Sequence, residues 1–181
     1  QEIFDRFPEV DFGIYECPMP WKRLVSLDFL RKVAQEGRMV FLKDTCCDYE
    51  LIRERLKAVE GTPLKIFNAN AQSWYDSYCH GSAGYNGVMA NFHPDLYKWA
   101  YDHKDSDPEK AQLVAHFLTT AAMIEMRAYP VSAKYHQNLV DVPMSLVTRS
   151  ADAAKLDKNA RGEVESLIAM ENYVRKQLGI L

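Results

Sequence analysis

The residue best placed for covalent chemistry is a lysine at the end of an apolar run, Met39-Val40-Phe41-Leu42-Lys43-Asp44-Thr45. Four apolar residues lead straight into Lys43, bounded by Gly37 before and a polar cluster after. This pattern predicts a strand buried on both faces. Such strands belong to parallel sheets, whose sites lie at the carboxyl ends of the strands. An amine desolvated there can lose its proton near neutral pH and attack a carbonyl to form a Schiff base. The plainer alternative is a lysine that reaches from the strand end into solvent.

Other reactive residue types are less well placed. Cys46 and Cys47 precede a helix start at Asp48, but a thiolate nucleophile needs a base, and the sequence sets no histidine beside them. The four cysteines (Cys17, Cys46, Cys47, Cys79) lack CxxC spacing and read as reduced thiols of a cytosolic protein. His80, His93, His103, His116 and His136 show no metal-ligand spacing, so no metal is expected. His93, just before Pro94, reads as a helix-start residue.

The elements that must position Lys43 follow in regular order. A short helix reaches Phe7 and stops at Pro8, and a first strand covers Asp11 to Cys17. Ser26 caps a helix through Glu36, with Gly37 as terminator. Arg38 to Asp44 is the second strand, and Asp48 caps a helix closed by Gly61. Leu64 to Asn68 is the third strand, followed by a helix over 72–80. After the Gly81 to Gly84 turn, Tyr85 to Ala90 is the fourth strand, and Pro94 opens a helix through His103. Four strand-then-helix units in succession predict a parallel sheet with right-handed crossovers. Beyond Asp107-Pro108 the pattern turns helical. One long helix is expected over Glu109 to Tyr129, another over Ser132 to Leu139, and an amphipathic one over Asp157 to Leu178. Residues 1–107 are thus expected to form the sheet region and 108–181 a helical region.

Composition narrows the function classes. The 181 residues are 48% hydrophobic and 26% charged with a net charge of −3, which gives no reason to expect nucleic acid. No apolar stretch approaches the ~18 residues that span a bilayer, and the first ten residues lack a signal-peptide apolar region, so no membrane association is expected. An open nucleotide-binding sheet carries a Gly-rich turn after its first strand, where this chain has Cys17-Pro18-Met19-Pro20. A closed (β/α)8 barrel takes ~250 residues. With more than 70 of the 181 residues in carboxyl-terminal helices, half a barrel is what fits.

These residues carry a resemblance. Ile14-Tyr15-Glu16-Cys17-Pro18 resembles the Tyr-x-x-Pro end of strand five in the dihydrodipicolinate synthase/N-acetylneuraminate lyase family, pyruvate-handling class I aldolases built on a (β/α)8 barrel. Phe41-Leu42-Lys43-Asp44-Thr45 resembles the strand-six motif with its Schiff-base lysine. Gly84 to Asn91 resembles strand eight, and Pro130-Val131 followed by Lys134 resembles a late Pro-x-Lys helix with the lysine displaced. The resemblance implies an α/β fold covering barrel strands five to eight plus a carboxyl-terminal helical extension. It implies Lys43 as the Schiff-base residue, condensing with pyruvate or a related 2-oxo acid, and Tyr15 as the proton shuttle. Asn68, Ala69 and Asn86 would bind substrate, with Asn70 and Asn91 also near the mouth. It further implies a cytoplasmic homo-oligomer, a tetramer, that needs no cofactor or metal. The arginine usual two residues after the strand-five proline is replaced by Pro20, so a sugar acid or another 2-oxo acid is as good a substrate candidate. The family's threonine-rich loop and second tyrosine belong to the first half of the barrel, so this chain alone is expected to be incomplete and inactive. The alternative is a non-catalytic relative, or a half-barrel with a structural role.

Overall fold

Strand alternation and helix capping set the first part of the chain. The computed structural model describes residues 2–180. A short helix, α1 (Glu2–Arg6), is followed by β1 (Phe12–Tyr15), α2 (Leu27–Gln35), β2 (Met39–Asp44), α3 (Tyr49–Ala58), β3 (Lys65–Asn68), α4 (Trp74–Cys79) and β4 (Gly84–Tyr85). The strands lie side by side in chain order and all pairs are parallel. Ser26 Oγ accepts from Phe29 N–H at 3.2 Å, and Asp48 Oδ1 accepts from Leu51 N–H at 2.8 Å, so both expected caps form. Gly37 and Gly61 follow α2 and α3 with φ of +78° and +74°, a region that costs other residues dearly.

The core lies on the helix side of this sheet. Leu42 and Ile66 pack with Leu30, Val33 and Ala34 of α2 and with Ile52 and Leu56 of α3. Arg38 fastens the end of α1 by donating to the carbonyls of Phe4, Phe7 and Val10, and its guanidinium lies 5.5 Å from the ring centroids of both Phe4 and Phe12.

The fourth strand is shorter than the sequence pattern suggests. Pairing with β3 covers Gly84 and Tyr85 only, and Asn86 N–H adds a last bond to Asn68 O at 2.8 Å. Val88–Asn91 then forms a 3-10 turn instead of continuing to Ala90 as a strand. Gly87 explains the break. The Tyr85 ring occupies the space where a Cβ at residue 87 would stand, so the chain folds back over Tyr85 and leaves the sheet.

The chain separates into two compact units, one ending at Gly87 and the other beginning at Val88, whereas the sequence pattern draws its boundary at 107. The second unit holds α5 (Pro94–His103), α6 (Pro108–Ala121), α7 (Val131–Leu139) and α8 (Lys158–Leu178). α5 starts from His93, so Asn91 is not its cap. The helix expected from Glu109 to Tyr129 stops at Ala121 and tightens into a 3-10 turn over Ala122–Met126. Pro130 cannot continue a helix, and Ala128 just before it takes φ of +51°, which turns the backbone. The helix expected from Asp157 runs from Lys158, and Asp157 caps it, accepting from Ala160 N–H at 2.8 Å.

A buried polar cluster fastens α8 within this unit. Glu171, His93 and His136 are each fully buried. His93 Nδ1 lies 2.7 Å from Glu171 Oε1, and His136 Nε2 lies 3.1 and 3.0 Å from its two oxygens. Arg175 adds a contact to Glu171 at 3.3 Å and a two-pronged pair with Asp95 at 2.7 and 3.0 Å. Burial opposes ionisation of Glu171, but hydrogen bonds from His136 and His93, with their charge, hold its carboxyl down at about 2. A depressed carboxyl contributes stability that is whole above its ordinary value of 4.5 and is lost as pH falls toward 2. The contribution is on the order of 3 kcal/mol. Thermal melts followed by circular dichroism should therefore show a midpoint that drops between pH 4.5 and 2. Glu171→Gln should be less stable at pH 7 and flatter across that window; an unchanged slope would contradict the assignment.

Candidate active site

Alternation along two neighbouring strands decides which side chains meet at the carboxyl edge. Tyr15 pairs with Lys43 in the β1–β2 register, so both project from the sheet face opposite the helices. Lys43 Nζ lies over the Tyr15 ring, 4.5 Å from its centroid. Tyr15 is 50% exposed. Partial burial raises its phenol above the ordinary value, and hydrogen bonding and charge from the Cys17 side chain add to this. On the same face Phe67 pairs with Lys43 from the other side and Phe41 lies one step back, their ring centroids 5.1 Å apart. Gly84 leaves room for the Phe67 ring, which a Cβ there would strike at 2.6 Å.

The next residue on each strand turns the other way. Glu16 and Asp44 point into the helix side, where both are buried, and there they meet Arg55 of α3, which is fully buried. Arg55 donates to Glu16 Oε1 and Oε2 at 2.9 Å each, to Asp44 Oδ2, and to the Val25 carbonyl at 2.8 Å. Glu16 also accepts from Val25 N–H at 2.8 Å and Thr45 N–H at 3.1 Å, while Thr45 Oγ1 donates to Glu16 O at 2.7 Å. One guanidinium thus ties the ends of β1 and β2 to α3 and to the chain entering α2.

One signal of this cluster stands in the sequence. Arg55 stands on the apolar face of its helix, with Ile52 three residues before it and Leu56 and Val59 after. An arginine there must find buried acceptors. Glu16 and Asp44, each one residue past a candidate catalytic side chain, were the available carboxylates.

The other expected site residues divide. Ala69 N–H donates to Asp44 O at 2.9 Å and Asn86 N–H to Asn68 O, which extends the rung of strand ends. Alternation places Ala69 and Asn86 on the face that carries Lys43. Asn68 is on the opposite face. Its amide donates to Ser73 Oγ at 3.0 Å and Ser77 Oγ at 3.2 Å, and its oxygen accepts from Asn70 N–H at 2.8 Å. Asn68 therefore holds the start of α4, and Asn70, bonded to Ser73 and Gln72, closes the same turn.

Cys46 is poorly suited to be a nucleophile. Burial pushes its thiol up to about 12, and hydrogen bonding to the Asp44 carboxylate and its charge add to the effect. Among the described residues no group of three or more His, Cys, Asp or Glu side chains converges as a metal site.

No protein-family model matches the chain. Solved structures do. The chain is similar to dihydrodipicolinate synthase from Thermotoga maritima, with a TM-score of 0.77 and 15% identity over 94% of this chain and 59% of that one. It is similar to a prophage protein of the dihydrodipicolinic acid synthase family from E. coli K12 in complex with pyruvate, with a TM-score of 0.79 and 17% identity over 94% and 59%. A sialic acid aldolase from Ruminococcus gnavus matches at a TM-score of 0.80 and 16% identity over 97% and 59%. At such identities the likeness speaks to the fold. The chain spans about three-fifths of the length of these structures, 59% in each. Its fold is α/β, that of part of a (β/α)8 barrel, with β1 to β4 standing as strands five to eight and a helical extension after them. No helix among the described residues is long and apolar enough to cross a membrane.

The cysteines offer a direct check. Iodoacetamide near pH 8 should label the exposed Cys17 and Cys47 while Cys46 stays largely unmodified by peptide mass mapping. Labelling of Cys46 at the rate of Cys47 would contradict the raised thiol.

Proposed function

We propose that this chain carries the Schiff-base half of a class I aldolase-type lyase site acting on pyruvate or a related 2-oxo acid. One observation carries the reading: Tyr15 and Lys43 stand in register on adjacent parallel strands with Nζ 4.5 Å from the ring. Their position at the carboxyl edge of a partial (β/α)8 barrel is where barrel enzymes keep their chemistry. A lysine beside a phenol that stays protonated at neutral pH supplies a nucleophile and an acid in one place.

The chemistry follows from these two groups. The uncharged amine of Lys43 adds its lone pair to the keto carbon, forming a C–N bond as the carbonyl π pair moves onto oxygen. That oxygen takes one proton from the former amine and a second from Tyr15 and leaves as water, while the nitrogen lone pair closes the C=N bond of a protonated imine. That cation draws electrons from the neighbouring carbon, which makes carbon–carbon cleavage or condensation there accessible. Ala69 and Asn86 border the space beside Lys43 and are the proposed substrate contacts. Asn68 supports them from behind through α4.

Borohydride reduction with pyruvate, followed by peptide mass mapping of the full-length protein, tests the reading. An adduct is expected on Lys43, absent in Lys43→Ala and formed about 10²- to 10⁴-fold more slowly in Tyr15→Phe. No adduct in the full-length protein would leave the alternative of a structural half-barrel relative.

A further inference from the structure

The buried cluster behind Tyr15 and Lys43 holds one more carboxyl group than guanidinium. Glu16 and Asp44 are two carboxylates against the single guanidinium of Arg55, and all three are sealed from solvent. Glu16 is fully matched: both of its oxygens take Arg55 N–H groups, and the Val25 and Thr45 amides complete them. Asp44 is met by Arg55, by Cys46 N–H at 2.9 Å and by the Cys46 thiol. A buried charge acts over a longer range than an exposed one, because little water screens it.

Geometry directs that charge at one place. Asp44 follows Lys43 directly and Glu16 follows Tyr15, so the cluster sits behind the two strand ends that carry the reactive pair. The groups facing Asp44 are Arg55 from α3, Glu16 from the end of β1 and Cys46 from the turn after β2. On the open face, the titratable group against Lys43 is Tyr15.

We infer that Glu16, Asp44 and Arg55 are positioning residues for the proposed site: Arg55 locks the two strand ends in register, and the uncompensated carboxylate favours the cationic imine on Lys43. This rests on the Schiff-base reading above. Asp44 ties the end of β2 to α3 through Arg55, a contact that an asparagine amide oxygen can also accept, so the charge can be removed without the tie. Removing it should leave the pair in place and weaken the cation.

The sign is definite. A nearby carboxylate keeps the imine protonated, and hence reducible, to higher pH. Asp44→Asn removes that charge, so the adduct with pyruvate should cease to be trapped by cyanoborohydride about one pH unit lower than in the unaltered protein. At pH 8 trapping should fall about tenfold, the effect of one charge acting across a strand at an effective dielectric near 20. Glu16→Gln provides a second removal of one carboxylate should Asp44→Asn fold poorly, with the same direction of shift. Asp44→Glu, which restores the charge, should recover the profile. Thermal midpoints measured alongside separate charge from folding. An adduct on Lys43 with the same pH profile in both neutral variants would overturn the inference while leaving the Schiff-base reading intact. No adduct in the unaltered protein would overturn both.

Discussion

The first unit depends on one buried ion cluster. Arg55 reaches from α3 to Glu16 and Asp44 and brings the ends of β1 and β2 to the same helix. Burying three charged groups costs several kcal/mol each, and only close, well-directed contacts repay it. The contacts are close here, and nearly every acceptor is taken. The consequence reaches the opposite face of the sheet. Since side chains alternate, fixing Glu16 and Asp44 inward fixes Tyr15 and Lys43 outward, side by side. A slip of one residue would bury the lysine and expose the carboxylates, so the cluster guards the register of Tyr15 and Lys43.

The second unit repeats the device with different chemistry. Glu171 of α8 gathers His93, at the start of α5, and His136, near the end of α7, while Arg175 reaches Asp95 in the first turn of α5. Again a buried acid collects donors from elements distant in the chain. Leu96, Ala100, Val114 and Leu118 are buried in the same unit, so the polar contacts set which helix ends meet while apolar burial adds to them.

Much of this was legible in the sequence where local rules decide. Ser26 and Asp48 read as caps because their short side chains suit that role before an apolar-periodic run. The strand that carries Lys43 was legible because an apolar run ended on it. The readings that shifted were those set by tertiary contacts. Asn68 looked like a mouth residue by its place after β3, yet two serines of the α4 segment draw its amide inward. The fourth strand looked longer, but Gly87 lets the chain fold over Tyr85. His93 read correctly as a helix-start residue, although nothing local announced Glu171 as its partner 78 residues away. Pairings of this kind need the fold first.

The central claim is that Arg55 holds the strand ends together, and amide hydrogen exchange measures it most directly. The Glu16 amide donates to Lys43 O at 3.3 Å and the Thr45 amide to Glu16 Oε2 at 3.1 Å, so both report on the joined ends. In the unaltered protein these two amides should exchange as slowly as those of the β2 interior. In Arg55→Met they should lose protection about 100-fold or more, as expected when a partner is removed from a buried ion cluster, while the amides of α8 keep theirs. Equal protection at Glu16 and Thr45 in both proteins would contradict the account.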